Sequence, residues 1–364
     1  NDLLKFHIKK KNYVTLTAVR PPARFGGIKI SRSKVKYFKE KSILDEGWIN
    51  GGFFVMEPKI FKFLKSDSTI LERSPLENIC KLNKLGAFIG VEIKDLDVTN
   101  IQDKKIINKI AELLSEYSVV IIRNQNITDE EHIKFSESFG ELELTKVGTD
   151  GSGSKLIILR NFDENGNIVP PSGRQRLNNL ANQEWHSDSS FKKIPSKMSL
   201  LSAKIIPSKG GNTEFLSMRA VYNSLPDDLK IIIEDKVCWH DYSHGRSKID
   251  PNLVTPEEKK ALPPVKQKLV LKSNKFGKSL YLGAHCSKVD GMGEKESTKL
   301  LSEIMQYTND KRFVYSHIWE PHDLIMWDNR AVLHRATPLE GKVEKRLMVR
   351  TTVAGETSTI NESF

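Results

Sequence analysis

A chain of 364 residues, 38% hydrophobic and 28% charged, can build one large domain or two ordinary ones around a real core. No run approaches the roughly 18 apolar residues of a membrane span, and three cysteines without a C-x-x-C pair (Cys80, Cys238, Cys286) exclude a disulfide scaffold and a thiolate zinc site. The net charge of +11 would suggest nucleic acid, but residues 1–85 hold 18 Lys+Arg against 8 Asp+Glu, while the remainder holds 39 against 38. The basic excess is therefore local, its lysines are mostly scattered singly, and no arginine cluster or recognition helix accompanies it, so solvated surface lysine is the better reading. The chain lacks an initiator Met and a signal-peptide apolar region and reads as a fragment or processed product. The expectation is a cytoplasmic protein that binds neither nucleic acid nor membrane, with homo-oligomerisation left open.

In chain order, the first segment carries short β-rich runs such as "YVTLTAV" and "GGFFVM", broken by "RPPARFGG". "RPPARFGGIKI", "YFKEKSILDEGWINGGFFVMEPKIFKFL" and "DSTILERSPLENICKLNKLGAF" resemble the C-terminal half of a glucose-1-phosphate cytidylyltransferase over about residues 10–88. That resemblance implies a sugar-phosphate side at Glu40, Lys41 and Asn50, with Ser42 where the family carries proline. The family's N-terminal glycine-rich loop and acidic residues are missing. Residues 1–85 are accordingly expected to be a truncated, non-catalytic, β-rich α/β fragment whose Phe53, Phe54 and Phe61 are exposed because the half they once packed against is absent.

A different texture begins near residue 86. "IGVEIKDLDV" alternates like a strand, and "DKKIINKIAELLSEY" puts Ile106, Ile107, Ile110, Leu113 and Leu114 on one helical face. "SVVII" is a buried strand, and "ITDEEHIKFSESFG" opens with a capping box from Thr128 to Glu131. "NFDENGNIVPPSGRQRLNNLAN", rich in Asn, Gly and Pro, is expected to be a mobile loop over the site entrance. Many short strands follow, among them "MSLLSAKII", "NTEFLS", "DLIMWDN" and "RLMVRTTV", and favour a double-sheet jelly roll over a doubly wound sheet.

"NQEWHSDSSF" places His186 and Asp188 two apart, so on a strand both would face one side and could converge on one ion. An H-x-D pair alone is weak, but "DLIMWDNRAVLHRAT" offers His334 as the missing third ligand. Two histidines and one carboxylate leave open positions on an octahedral ion, the facial triad of non-haem Fe(II) oxygenases. Such chemistry needs an electron-supplying co-substrate; 2-oxoglutarate would chelate through its keto acid and leave a distal carboxylate for a bidentate arginine. Arg346 and Arg350 in "EKRLMVRTTV" would share one strand face, and Thr213 in "GGNTEF" offers a hydroxyl to the same carboxylate. His240 and His244 in "CWHDYSHGR" are spaced as a helical metal pair but lack a third ligand, and read instead as surface or substrate-pocket histidines.

"NQEWHSDSSFKKIPSKMSLLSA", "PSKGGNTEFLSMRAVYNSLP", "HIWEPHDLIMWDNRAVLHRAT" and "KRLMVRTTVAG", in this order and spacing, resemble the taurine dioxygenase and dichlorophenoxyacetate dioxygenase superfamily of Fe(II)/2-oxoglutarate enzymes, closer to the dichlorophenoxyacetate branch. The resemblance covers about residues 88–355. It implies an α+β chain whose residues 86–364 form a double-stranded β-helix with flanking helices. It also implies Fe(II) on His186, Asp188 and His334, 2-oxoglutarate on Thr213 and Arg346, and Trp327 in the strand lining the iron site, with O₂ as co-substrate. Arg350, Asn182 and Phe191 fall on the substrate side, and no catalytic residue beyond the metal site is expected. The implied reaction hydroxylates an aliphatic C–H of a small anionic substrate, carboxylate or aryloxyacetate-like, releasing succinate and CO₂. The alternatives are a sulfonate or sulfate-ester dioxygenase on the same scaffold, a sugar-nucleotide-binding protein, and a catalytically silent binding domain. "GELELTKVG" lacks the histidine and tyrosine that meet the sulfonate in the taurine branch, which counts against taurine itself.

Overall fold

The computed structural model describes residues 2–10, 13–19, 27–31, 34–39, 49–63, 82–86, 88–99, 101, 103–145, 152–170, 172–273, 276–340 and 344–361. The chain divides into two compact units, Asn1–Asn83 and Lys84–Phe364. In the first, helix α1 (Asp2–Lys10) precedes strands β1 (Val14–Val19), β2 (Gly27–Ser31), β3 (Lys34–Lys39) and β4 (Ile49–Met56), which pair in the order β1-β4-β2-β3. His7 is buried on α1 and bonds Thr15 through Nδ1 at 2.8 Å. Phe53 and Phe61 are exposed, whereas Phe54 is half-buried, so two of the three expected rings face solvent. Glu40, Lys41 and Ser42 lie outside the described residues, as do the side chain of Asn50 and most of the stretches between 20 and 48 and between 64 and 81 that carry the cytidylyltransferase likeness.

After the short strand β5 (Leu82–Lys84) come β6 (Val91–Ile93), α2 (Lys104–Tyr117), β7 (Val119–Ile122), α3 (Asp129–Glu137) and β8 (Ile157–Arg160). Helix α2 starts where the Asp103 carboxylate accepts from the Lys105 amide, and it ends at Ser118, which takes a left-handed conformation at φ 65°. It buries Ile107, Ile110, Leu113 and Leu114; Ile106, one step further round, stays exposed. The capping box of α3 forms as its residue spacing predicts, with Glu131 N–H donating to Thr128 Oγ1 and Thr128 N–H to the Glu131 carboxylate. The segment expected to be a loop instead contains α4 (Arg174–Ala181), because Gln175 and Asn179 both donate to the Arg160 carbonyl and tie that turn of chain to β8.

Next follow β9 (Ser196–Ile205), β10 (Thr213–Ser217), α5 (Met218–Ser224), α6 (Asp227–Ile233), β11 (Val237–His240), α7 (Tyr242–Ser247) and α8 (Pro256–Ala261). Strands β12 (Val265–Lys268), β13 (Val270–Ser273), β14 (Gly277–Leu280) and β15 (Cys286–Val289) lead to helix α9 (Glu294–Gln306). The chain closes through β16 (Val314–His317), β17 (Leu324–Asp328), β18 (Val332–Ala336) and β19 (Leu347–Ala354). The main sheet takes β6-β7-β17-β9-β19-β8, with β6 parallel to β7 and the other pairs antiparallel. A smaller sheet, β16-β10-β18, is antiparallel throughout. Phe215 and Val332 from the smaller sheet pack with Leu201, Ile325, Trp327 and Met348 from the main one, so one apolar core is shared between the two sheets. A second core joins α5, α6 and α9 to β13–β15. Among the described residues no helix is long and apolar enough to cross a membrane.

Candidate functional site

His186 and His334 are brought together by backbone pairing: His186 N–H donates to the His334 carbonyl at 3.1 Å and the reverse bond is 2.9 Å. Their rings lie 4.2 Å apart between centroids. Asp188 is not on a strand, contrary to the expectation from the H-x-D spacing. The chain turns at residues 188–190, with Ser189 at φ 53°, and side-chain hydrogen bonds aim the carboxylate instead. Ser196 Oγ donates to the Asp188 carbonyl and Ser199 Oγ to Asp188 Oδ2 at 2.7 Å. One ligand atom from each of His186, Asp188 and His334 falls within 4.8 Å of the others, and all three residues are buried.

The electrostatics suit a cation. Burial above all, opposed by Asp188, holds the His186 imidazole below its ordinary range, and burial together with His186 holds His334 well below it. For Asp188 burial pushes the pKa upward, but Arg350, His334 and His186 together outweigh it and keep the carboxylate ionised. Neutral imidazoles beside an ionised carboxylate are the protonation states that metal ligation requires. His186 Nδ1 meets the Glu184 carbonyl at 2.8 Å, which leaves the other ring nitrogen as a lone-pair donor. His334 Nδ1 is buried and has no hydrogen-bond partner. A divalent ion of the kind bound by two histidines and a carboxylate fits this donor set.

Asn329 holds the arrangement together, and the sequence reading passed over it. Its Oδ1 accepts from Trp327 Nε1 at 2.9 Å and from the Asp188 amide at 3.4 Å, while its Nδ2 donates to Ser196 and Ser199 Oγ, each at 2.9 Å. Trp327 packs its ring 4.6 Å from that of His334. The signal was in "MWDNR": a carboxamide directly after a buried strand, where the neighbouring hydroxyls and the indole need a group that both accepts and donates.

Two cavities open from the triad. The first, about 380 Å³, is bordered by His186, His334, Trp327, Thr213 and Arg346. Arg346 Nε donates to the Gly211 carbonyl at 3.3 Å, and among the described residues no carboxylate pairs with it. Burial alone pulls this guanidinium down to about 10, so it stays cationic at neutral pH. Gly211 has φ +64°, and a Cβ there would come within 3.3 Å of the Arg346 side chain. Thr213 is buried and accepts from Trp319 Nε1 at 3.2 Å. The second cavity, about 320 Å³, is bordered by His186, Asp188, Phe191, Asn182, Tyr242 and Arg350 among others. Phe191 meets the rings of Tyr242 and His285 at 4.8 and 4.9 Å. Asn182 ends α4 and lines both cavities. Arg350 also borders both, and its Nη1 donates to Asp188 Oδ1 at 2.5 Å. His240 is buried on β11, stacked 5.4 Å from Tyr281, and His244 lies on α7; neither borders the two cavities, so His240 is neither the surface nor the substrate-pocket histidine expected.

Residues 81–352 match the model of the "Taurine catabolism dioxygenase TauD, TfdA family". The chain belongs to that family. It is 34% identical over 277 residues to the alpha-ketoglutarate-dependent 2,4-dichlorophenoxyacetate dioxygenase of Cupriavidus pinatubonensis, covering 74% of this chain and 96% of that one. The (S)-phenoxypropionate/alpha-ketoglutarate-dioxygenase of Sphingobium herbicidovorans is 28% identical, with 78% and 96% covered. Among solved structures, that of AAD-2 in complex with Mn(II) and N-oxalylglycine superposes with a TM-score of 0.71 at 36% identity, covering 77% of this chain and 99% of that one. The chain is thus an alpha-ketoglutarate-dependent dioxygenase of jelly-roll fold, a reaction class whose requirements are Fe(II), 2-oxoglutarate and O₂. The family match does not reach residues 1–80.

Proposed function

We propose that this family member hydroxylates an aliphatic C–H of a small anionic, aryloxyacetate-like carboxylate. The observation that carries the reading is the position of the triad between two cavities, one ending in Arg346, which pairs with no carboxylate among the described residues, and the other walled by aromatic rings and cations. His186, Asp188 and His334 would hold Fe(II), and Thr213 and Arg346 the distal carboxylate of 2-oxoglutarate. With Fe(II) bound, the site supplies the oxidative decarboxylation of 2-oxoglutarate to succinate and CO₂, coupled to transfer of one oxygen atom of O₂ to the substrate C–H. The protein's part is placement. Arg346 orients the co-substrate through a charge-assisted fork in a desolvated pocket. Ser199, Asn329 and Arg350 fix Asp188, and Trp327 packs on His334. Phe191, Asn182 and Arg350 border the space for the substrate.

Succinate release with Fe(II), ascorbate and 2-oxoglutarate tests this over phenoxyacetate, 2-phenoxypropionate, an alkyl sulfate and an alkanesulfonate. Phenoxyacetate-type acids should stimulate succinate formation in the wild type, and Asp188→Ala should abolish it together with Mn(II) binding. Stimulation only by the sulfate or sulfonate would replace the substrate class. Full activity in Asp188→Ala would remove the metal assignment.

A further inference from the structure

The second cavity is lined by six cationic side chains, and five of them are already neutralised. Lys155 pairs with Glu137 at 2.6 Å, Arg160 with Glu164 at 3.8 Å, Arg174 with Glu258 at 2.5 Å, Lys192 with Glu143 at 2.8 Å and Arg350 with Asp188 at 2.5 Å. The sixth, Arg246 on α7, has no carboxylate partner among the described residues. Its Nη1 donates to the neutral carboxamide oxygen of Asn178 at 2.6 Å, and its Nε is buried with no acceptor among the described residues. The guanidinium sits 4.7 Å above the Tyr242 ring, the same ring that forms the aromatic wall with Phe191 and His285. Glu258, a carboxylate whose charge bears on it, is taken by Arg174.

A desolvated cation with an orphaned N–H is costly unless an anion completes it. The arrangement therefore stores a binding requirement: a negatively charged group placed against Arg246 satisfies Nε and balances the charge. An aromatic ring on the same ligand would lie along the wall the guanidinium borders. Arg350 Nε is likewise buried with no acceptor among the described residues, but the Arg350 charge is already balanced by Asp188, which accepts from its Nη1.

We infer that Arg246 supplies the charge that selects an anionic substrate, and that Arg350 serves mainly to hold Asp188. This rests on the proposed anionic substrate class and adds the residue that enforces it. In "CWHDYSHGR" the sequence draws attention to the histidines, since a single arginine on a short helix carries no motif.

The test is calorimetric binding of phenoxyacetate and of neutral phenoxyacetamide to the full chain loaded with Mn(II) and N-oxalylglycine, a redox-inert ion and a 2-oxoglutarate analogue. Wild type should bind the acid at least about tenfold tighter than the amide, a difference of one charge-assisted hydrogen bond. Arg246→Met should bring the two within about twofold while leaving N-oxalylglycine affinity unchanged, and Arg246→Lys should retain a preference for the acid. Arg350→Met should keep the preference. An intact acid preference in Arg246→Met, or its loss in Arg350→Met alone, overturns the assignment to Arg246. If Arg246→Met does not fold, loss of the preference in folded Arg246→Gln supports the assignment and its retention overturns it. Equal or absent binding of acid and amide by the wild type instead overturns the anionic substrate class itself.

Discussion

Replacing Asn329 by leucine, close in volume but without polar atoms, isolates what one carboxamide contributes to the metal centre. Asn329 is fully buried and its side chain makes four hydrogen bonds. Trp327 Nε1 has no other acceptor in view, and an orphaned buried donor costs about 1–3 kcal/mol. Ser196 and Ser199 still donate to Asp188, so each loses only a received bond, at the low end of about 0.5–1.5 kcal/mol. The 3.4 Å contact from the Asp188 amide adds little. The sum is about 2–4 kcal/mol, which at roughly 2–4 °C per kcal/mol lowers the melting temperature by roughly 4–16 °C. Because the same bonds set the Asp188 turn, metal affinity should fall by about 10- to 100-fold. Circular-dichroism melting and counting of free Mn(II) by electron paramagnetic resonance read both quantities. A variant that melts within about 1 °C of wild type and binds Mn(II) normally would refute the claim that this network holds the ligand, since changes of that size are typical of surface sites.

Arg346→Ala should raise the KM for 2-oxoglutarate by about 10- to 150-fold, the equivalent of a charge-assisted bond of about 1.5–3 kcal/mol, and steady-state kinetics showing an unchanged KM would exclude it as the carboxylate partner. Burial, with Lys204 adding to it, holds the His132 imidazole down to about 3, whereas an unfolded histidine titrates near about 6.5. Between those values the unfolded chain takes up a proton that the folded chain refuses, so stability is present above about pH 6.5 and falls as pH drops, by up to about 1.4 kcal/mol per unit. Urea unfolding from pH 7 to 4.5 should show a shallower pH slope for His132→Asn, and an equal slope would contradict this. Deleting residues 1–80, which precede the family match and hold none of the triad, Thr213 or Arg346, should leave kcat and both KM values within about twofold; a tenfold loss of kcat/KM in a folded truncation would make that segment part of the working enzyme.

Local pattern was sufficient wherever one element settles the matter by itself. The apolar face of α2 and the capping box of α3 are written at i, i+3 and i+4 spacings, which adjacent turns of a helix must satisfy in any context. Residue type and spacing single out His186, Asp188 and His334, which the fold brings within 4.8 Å of one another, and Thr213 and Arg346, which line one cavity beside them. How they meet was not legible. The H-x-D pair looked like two residues of one strand, yet Asp188 sits on a turn aimed by Ser196, Ser199 and Asn329 from two other segments. A strand would have needed only its own period; a turn needs partners that sequence distance conceals. The Asn- and Gly-rich stretch before the site became α4 because the Arg160 carbonyl accepts its carboxamides, a contact no local propensity encodes. Which cation of the second cavity remains unpaired is likewise a property of the fold. After residue 85 the sequence alone shows basic and acidic residues in near balance, 39 against 38, but only the packed chain brings Glu137, Glu143, Glu164, Glu258 and Asp188 against five of the cavity's cations and leaves Arg246 without one among the described residues, because neutralisation acts through space over a few ångströms and not along the chain.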